Sequence, residues 1–332
     1  MAGNTATRTY TIKKRKIPKV GEIVNYTPDT PSTGYDLSAA KSGSRNARTI
    51  DGTYDPTTWK IMEVDENGNI TKLLGIGAKP VTFVGSKGYN NGVYLLNDIC
   101  KSRYGNASLG ATARSLTIED IESKMNSTGI AARNANKGYN NQSIQYGTTK
   151  TYTGSNAQYP AIYEQEKYSG VDVSDVTAGS QVIAGEVNAT AQSKMNPNGK
   201  SGSDDIYTTL PETSETTGPS KTNLTCTQTD YEFDSTPSSY FDDSNFYNMI
   251  FGTGTNFWLA SRCVDCNSSD SCAYFGLRCV VRSNLDGIHL FYSSGYGGSG
   301  FGIPLASVVS LGSGVQIKSG SGTESDPYVI GK

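Results

Sequence analysis

Four of the six cysteines lie close together, in the stretch CVDCNSSDSCAYFGLRC at residues 263–279. Their spacing is C-x2-C-x5-C-x6-C, and only Cys263 and Cys266 form the close pair that a zinc knuckle needs. Cys272 and Cys279 flank an apolar segment with the pattern of a strand, which would hold them far apart. The spacing therefore argues against a structural zinc site. We expect thiols that are free or locally bridged, with Cys266 and Cys272 as the best candidates for a bridge.

Catalytic motifs are weak in the rest of the chain. His289 is the only histidine, so a Ser-His-Asp or Cys-His site would have to use it, and no nucleophile elbow lies near it. The segment GYGGSG at 295–300 matches G-x-G-x-x-G, but a dinucleotide loop must open a helix, and the following Phe-Gly-Ile-Pro cannot. The sequence thus gives no positive case for an enzyme and indicates neither a cofactor nor a metal.

Composition narrows the class of protein. The chain has 332 residues, of which 35% are hydrophobic and 18% charged, and it is rich in small polar residues. This balance is typical of a loop-rich, largely β globular protein. The net charge of -2 argues against a nucleic-acid partner. The chain contains no run of eighteen apolar residues, so no membrane span is predicted, and no signal peptide is recognisable.

Local patterns predict individual elements. Apolar patterns predict a hairpin from strands 59–64 and 70–74 joined by a turn at 65–69, and further strands at 81–84, 257–260 and 273–278. They also predict a closing hairpin from 308–311 and 315–317. Helical spacing predicts helices over 90–104, where Cys100 would be a buried hydrophobe, and 242–251. Thr117, with Asp120 three residues on, predicts a capping box at the start of another helix.

The chain divides by composition into an arm, a domain and an insertion. Residues 1–18 form a basic N-terminal arm, interpreted as a solvated or docking tail. Residues 19–332 form one domain, with a variable region at about 259–305. Residues 127–222 are rich in Asn, Gly, Ser and Thr and are interpreted as a long decorated insertion.

The most informative signal is a restricted set of residue types. The 57 residues from Leu259 to Val315 contain no Lys, Glu, Gln, Met or Trp, although these types make up 46 of the other 275 residues. At that rate roughly nine or ten would be expected in the window. An Asn codon whose two adenines vary can encode every residue type that the window uses, and none of the five that it lacks. The window therefore has the pattern of adenine-directed diversification.

The composition of the window also suits recognition. Residues 261–304 contain 8 Ser, 7 Gly, 3 Tyr and 2 Asn. Tyr supplies rigid amphipathic contact area, while Ser, Gly and Asn supply adaptable hydrogen bonds, which is the mixture found in antibody paratopes. An ordinary Gly/Ser-rich loop region would explain the small residues, but not the missing Lys and Glu, which solvated loops usually contain. Cysteines in such a window are explained as sampled side chains.

Five stretches support a family resemblance: GYNNGVYLLNDIC, ARSLTIEDIE, NFYNMIFGTGTNFWLASR, AYFGLRCV and VVSLGSGVQI. They resemble the C-type-lectin-like variable proteins of diversity-generating retroelements, whose best-known members are phage tropism determinants. The core also resembles the formylglycine-generating-enzyme fold. The resemblance covers roughly residues 19–104, 112–125 and 231–318. It implies an α+β chain with a C-type-lectin-like fold, in which mixed antiparallel sheets and two helices carry a long loop-rich insertion.

The resemblance also implies a ligand-binding face on the C-terminal strands and loops. In this sequence the face would run from Arg262 to Phe301, with Trp258 and Leu277 as scaffold beneath it. The candidate ligand-binding residues are Cys263, Asp265, Asn267, Ser268, Asp270, Arg282, Ser283, Asn284, Asp286, His289, Phe291, Tyr292, Ser294, Tyr296, Gly298, Ser299 and Phe301. The implied partner is a protein or glycan receptor on a target cell. The implied location is a virion tail or a cell surface, and a homo-oligomer is a further expectation.

The chain departs from the family in two places. It reads GIPLAS at residues 302–307 where a close relative would have Gly-Leu-Arg-Pro, and the Glu-Pro-Asn and Trp-Asn-Asp motifs of calcium-dependent sugar binding are missing. Two alternatives remain open. One is a structural or pilus-like subunit with the same fold. The other is an oxidoreductase of the formylglycine-generating type, which would require Cys272 and Cys279 to converge. Fold alone does not carry that activity.

Overall fold

Nine segments of the chain are described in the computed structural model. They are residues 17–29, 35–36, 49–137, 144–157, 221–233, 235–252, 254–266, 273–292 and 300–332. Almost all of the predicted N-terminal arm and most of the predicted insertion lie outside them. Among the described residues, no helix is long and apolar enough to cross a membrane.

The described residues form an α+β structure. The strands are β1 (Ile23–Asn25), β2 (Tyr35–Asp36), β3 (Thr49–Ile50), β4 (Trp59–Val64), β5 (Ile70–Ile76), β6 (Val81–Val84), β7 (Thr112–Ser115), β8 (Thr149–Ala157), β9 (Lys221–Thr227), β10 (Phe257–Cys266), β11 (Ala273–Val281), β12 (Asn284–Tyr292), β13 (Gly300–Ile303), β14 (Ala306–Ser310), β15 (Gln316–Ser319) and β16 (Tyr328–Gly331). The helices are α1 (Gly85–Arg103), α2 (Ile118–Glu122), α3 (Ser127–Ala135) and α4 (Ser244–Phe251), with a 3-10 turn at Ser238–Tyr240. The expectation of two helices was therefore too low.

A seven-stranded sheet organises the domain, in the order β15-β16-β1-β4-β5-β14-β7. Only β1 and β16 pair in parallel. The predicted hairpin is confirmed as β4 and β5, which pair antiparallel. Its turn is held by Asp65, whose Oδ1 accepts hydrogen bonds from the backbone nitrogens of Asn67 and Asn69 at 2.9 and 2.8 Å. A local carboxylate thus fixes the reversal between the two central strands.

The predicted closing hairpin is wrong, although both of its strands exist. β14 pairs with β5 on one side and β7 on the other, while β15 pairs with β16 at the opposite edge of the sheet. Val308 and Val309 are fully buried, whereas β15 is mostly exposed. A local pattern of apolar residues identifies strands, but burial on both faces of β14 favours long-range partners over the next strand in sequence.

The seven-stranded sheet separates two hydrophobic cores. Successive residues of its central strands point to opposite sides, so that Ile61 and Leu73 enter one core while Met62 and Leu74 enter the other. The first core is closed by α1, whose buried residues include Cys100, as predicted. The second core is closed by α2 and α4. The helix predicted over 90–104 is confirmed, and it begins five residues earlier.

Capping residues set the starts of the shorter helices. Thr117 and Asp120 form the predicted capping box at α2, and the Asp243 side chain caps α4. Ser261 of β10 accepts a hydrogen bond from the backbone nitrogen of Ile118 at 2.9 Å, so α2 is tied directly to the second sheet. Helix α3 lies in the predicted insertion, yet Gly129 packs closely against Tyr240. The ordered domain therefore continues beyond residue 127.

The second sheet contains β10, β11 and β12 in that order, and all pairs are antiparallel. Trp258 and Leu277 are fully buried, as expected for scaffold residues, and Trp258 Nε1 donates to the Val81 carbonyl oxygen at 2.8 Å. β13 pairs with β6, so the segment that departs from the family pattern is packed into the fold. The turn between β11 and β12 places Arg282 and Ser283 at φ values of 51° and 66°, which indicates a type I′ hairpin.

Two glycine substitutions test the close pairing of β11 and β12. A Cβ on Gly276 would overlap the carbonyl oxygen of Ile288 on the neighbouring strand. We expect Gly276→Ala to lower the free energy of unfolding by at least about 2 kcal/mol, because the backbone must move. The matched control is Gly52→Ala, where the nearest atom to the new Cβ is 3.7 Å away, and it should change stability by less than about 0.5 kcal/mol. Urea unfolding followed by tryptophan fluorescence measures both, and equal losses would contradict the pairing.

Candidate functional site

The candidate site begins with residues 228–233, here called the strap, which cross the outer edge of β10. The Val264 carbonyl oxygen accepts hydrogen bonds from the backbone nitrogens of Thr229 and Asp230, both at 2.9 Å. Thr229 Oγ1 in turn accepts from the Val264 nitrogen at 2.8 Å. Gln228 Oε1 accepts from the Cys266 nitrogen at 2.5 Å. These contacts satisfy an edge that would otherwise expose unpaired backbone groups.

A buried carboxylate fastens the strap to the other two strands. Asp230 Oδ1 lies 2.5 Å from Arg278 Nη1 on β11, and its Oδ2 lies 3.0 Å from His289 Nε2 on β12. The Asp230 and Arg278 side chains are 3% and 1% exposed, and that of His289 is 11% exposed. The guanidinium of Arg278 also stacks 3.9 Å from the ring centre of Tyr231. One carboxylate thus bridges three chain segments.

The register of the second sheet brings these groups together. Arg278 pairs with Gly287, and Gly276 pairs with His289, which puts both basic side chains on one face. A Cβ on Gly287 would overlap both the Asp230 carboxylate and Cys263 Sγ. The missing side chain at this position therefore makes the room in which the carboxylate sits.

Charge balance sets the protonation of the cluster. Burial opposes the charged form of Asp230, but the hydrogen bond to His289 and the charge of Arg278 outweigh it and lower the pKa of the carboxyl. Burial likewise disfavours a charged His289, but the hydrogen bond and charge of Asp230 outweigh it and raise the imidazole pKa, with help from Asp265 and Asp286. The folded protein therefore favours an ionised Asp230 flanked by two cations.

Two predicted ligand contacts lie beneath the strap instead of on the surface. Cys263 and Asp265 are both fully buried, and Asp265 Oδ2 is 4.0 Å from His289 Nε2. Arg262 is also buried, and its Nε donates to the Tyr89 carbonyl oxygen at 2.8 Å. The exposed part of the predicted face therefore does not start at Arg262. The reason is that the strap covers Cys263 and Asp265, whereas Arg262 lies against Tyr89 of α1 on the other face of β10.

An open cavity of about 800 Å³ lies beside the cluster, along β12. The strap contributes Glu232 and Phe233 to its walls. The remaining wall includes six residues that the sequence predicts as ligand contacts, namely Arg282, Asn284, Asp286, His289, Tyr292 and Phe301. Residues chosen for their type and position in the sequence are thus brought together around one concave surface.

Aromatic side chains give part of this surface a rigid shape. Tyr274 stacks on His289 with ring centres 4.9 Å apart, and it meets Tyr292 edge-on at 5.1 Å. Phe301 is 41% exposed and contacts the buried Trp258 edge-on. Flat rings with polar tips provide contact area at little cost in conformational entropy.

The carboxyl group of Asp286 differs in its pKa from an ordinary surface carboxylate. Burial is the main reason that its pKa is raised, and the charge of Asp230 adds to the effect. The Gly287 backbone nitrogen donates to Asp286 Oδ1 at 2.6 Å and partly offsets it. The cavity therefore contains a carboxyl group whose protonation responds to its neighbours.

The cysteines beneath the site are poorly suited to nucleophilic chemistry. Cys263 and Cys279 are buried, and burial raises the pKa of both thiols well above the ordinary value. A thiol that stays protonated is a weak nucleophile. In the described part of the chain, no group of three or more His, Cys, Asp or Glu side chains has the arrangement of a metal site.

The other predicted contacts fall into two groups. Ser283 is half-buried in the β11–β12 turn, and Phe291 lies on β12 opposite Phe275. Seven contacts lie outside the described residues: Asn267, Ser268, Asp270, Ser294, Tyr296, Gly298 and Ser299. Cys272 also lies outside them, so its bridge to Cys266 remains a prediction.

Sequence reasoning missed the residues that organise the cavity. Asp230, Glu232 and Phe233 precede the restricted window, and no motif marks them. Arg278 was assigned to a strand without a role. Its pairing with Asp230 follows only from the strap crossing the sheet, which no local pattern encodes.

Comparisons of the chain with protein-family models, with curated proteins and with solved structures give no match. The arrangement of the described residues therefore carries the functional argument. That arrangement is a concave, partly aromatic surface on a rigid sheet, with a buried charge cluster below it. Such a surface is suited to binding.

Removing the central carboxylate should be costly. We expect Asp230→Ala to lower the free energy of unfolding by about 3–5 kcal/mol, because Arg278 would be left as an uncompensated buried charge. The matched control is Glu63→Ala, which breaks a half-exposed ion pair with Lys72 and should cost less than about 1 kcal/mol. Urea unfolding measures both variants, and similar losses would show that the cluster is not the stronger constraint.

Thiol labelling tests the burial of the cysteines. We expect Cys100, Cys263 and Cys279 to resist brief iodoacetamide treatment of the native protein, because all three are buried with raised thiol pKa values. The same thiols should label fully in urea, which serves as the internal control. Peptide mapping by mass spectrometry reads out each site. Rapid native labelling of Cys279 would instead support the thiol-dependent oxidoreductase alternative.

Proposed function

We propose that this chain is a hypervariable binding protein, which displays a diversified surface on a C-type-lectin-like scaffold and binds a receptor on a target cell. The receptor is a protein or a glycan. The setting is host attachment by a phage tail or adhesion at a cell surface. The protein acts by binding and not by catalysis.

One observation carries this proposal. The window from Leu259 to Val315 lacks five residue types, and nine of the eleven residues that line the cavity belong to that window. A restricted alphabet could arise by chance in a loop region. A restricted alphabet that converges on one concave surface is what a diversified binding site requires.

Division of the window into buried and accessible residues supports the same function. Val280, Leu285 and Leu290 are fully buried and hold the sheet, while Asn284, Asp286 and Tyr292 reach the cavity. Variation at accessible positions can change the ligand without disturbing the core. A rigid scaffold with variable side chains binds without first ordering a loop, which lowers the entropic cost.

The scaffold assignment draws on the sequence segments that carry the resemblance. These segments fall on regular elements: α1, β7 with α2, α4 with β10, β11, and β14 with β15. The mixed sheets and short helices are compatible with the proposed fold. The oxidoreductase alternative gains no support from Cys279, whose thiol is buried and protonated.

Sequencing the locus across many related isolates tests the function. We expect substitutions to cluster at the codons of the six cavity residues predicted from sequence, at adenines of a near-identical template beside a reverse-transcriptase gene. The physical reason is that these side chains line the cavity, where a ligand would contact them. The readout is the substitution frequency per codon.

Buried positions in the same window provide the matched control. Leu277, Val280 and Leu290 should vary little, because each is fully buried. Equal variation at buried and cavity-lining codons would contradict a selected binding surface. The absence of any template and reverse transcriptase would leave the structural-subunit alternative as the better explanation.

A further inference from the structure

We propose that Asp230 is a positioning residue for the cavity, and that its bridge to Arg278 and His289 makes the hold of the strap on the sheet sensitive to pH. The strap supplies the wall formed by Glu232 and Phe233. That this wall contacts a ligand rests on the function proposed above. The pH sensitivity of the strap does not depend on it.

The contacts of the strap divide into two kinds. Its backbone bonds run to Val264 at one edge of the sheet and, away from the sheet, to residues 136, 147 and 148. Its charged contacts reach further, from Asp230 to Arg278 at 2.5 Å and to His289 at 3.0 Å. Of the two charged contacts, the one to His289 reaches β12, the strand that forms most of the cavity wall. Weakening it would therefore loosen the strap where it faces β12.

The groups that face His289 come from every neighbouring element. The strap presents Asp230, β10 presents Asp265 at 4.0 Å, and β12 itself presents Asp286. β11 presents the stacked ring of Tyr274, and it also presents Arg278, which shares the Asp230 carboxylate. Carboxyl groups ordinarily titrate well below neutral pH, and arginine well above it. His289 is the member of this set whose charge changes near physiological pH.

The direction of the effect follows from linkage. When the strap is bound to the sheet, the pKa of His289 is raised, because the Asp230 hydrogen bond and charge outweigh the effect of burial. Protonated His289 therefore stabilises the bound strap fully when the pH is below the ordinary histidine pKa of about 6.5. This stabilisation is lost as the pH rises through the raised pKa. Asp230 retains Arg278 at all these pH values. The strap should loosen at higher pH without being released.

Hydrogen exchange of the full chain without ligand tests the inference. The exchange rates of the backbone amides of residues 229–231 are measured at several pH values between about 6 and 9. Each rate is divided by the intrinsic rate of an unprotected amide at the same pH, which gives the protection of the strap. Between the ordinary and raised histidine values, we expect protection to fall by about tenfold for each pH unit. Amides of β4 serve as the control for global unfolding and should not follow the same curve.

Two variants separate this titration from a general structural role. His289→Gln keeps a donor for Asp230 but cannot titrate, so strap protection should become independent of pH. Asp230→Asn should lower strap protection and also remove the pH dependence. If Asp230→Asn does not fold, wild type against His289→Gln still decides the question. A pH-dependent fall that persists in His289→Gln would overturn the proposal, and so would constant protection in the wild type.

The outcome is distinguishable from failure of the proposed function. Strap protection could fall as pH rises in the wild type but not in His289→Gln, while the locus shows no diversification. That result would support the strap inference and reject the binding surface. A diversified locus with constant strap protection would reject only the strap inference.

Discussion

The buried Asp230 carboxylate is the interaction on which the arrangement of the second sheet depends. A charge taken out of water is tolerated only when it is paired and hydrogen-bonded, and here both oxygens are occupied, one by Arg278 and the other by His289. Gly287 leaves the space, and the Val264 carbonyl fixes the backbone of the strap. The position of the strap, the register of the sheet and the shape of the cavity wall are all tied to the neutralisation of this one buried charge.

Sequence reasoning succeeded where the structure is decided locally. The β4–β5 hairpin, α1 and the capping box at Thr117 each follow from residues a few positions apart, and all three are confirmed. It failed for the hairpin expected from β14 and β15, because a strand buried on both faces selects partners by core packing and not by proximity. The C-type-lectin-like fold itself remains a prediction, and the α+β class is what the described elements establish.

The candidate site was also predictable only where local sequence properties decide which side chains are accessible. Restricted residue types pointed to His289 and Tyr292 on β12 and to Phe301 on β13, and all three lie in the cavity wall. Cys263 and Asp265 carry the same signal, but they are covered by a segment that lies far away in sequence. Burial of this kind is a tertiary property. No property of the window alone distinguishes a side chain that reaches the cavity from one that lies against the strap.

Under the proposed function, the turn that joins β11 and β12 would limit how large a repertoire this surface could sample. Arg282 and Ser283 both have left-handed backbone angles. Asn, Asp and Gly adopt such angles readily, whereas Val, Ile and Thr resist them. A varied Asn codon offers all six, so many genes that encode a β-branched residue here would yield chains that fold less well. The number of usable surfaces would therefore be smaller than the number of distinct genes, because the backbone geometry of this turn excludes some residues before any ligand binds.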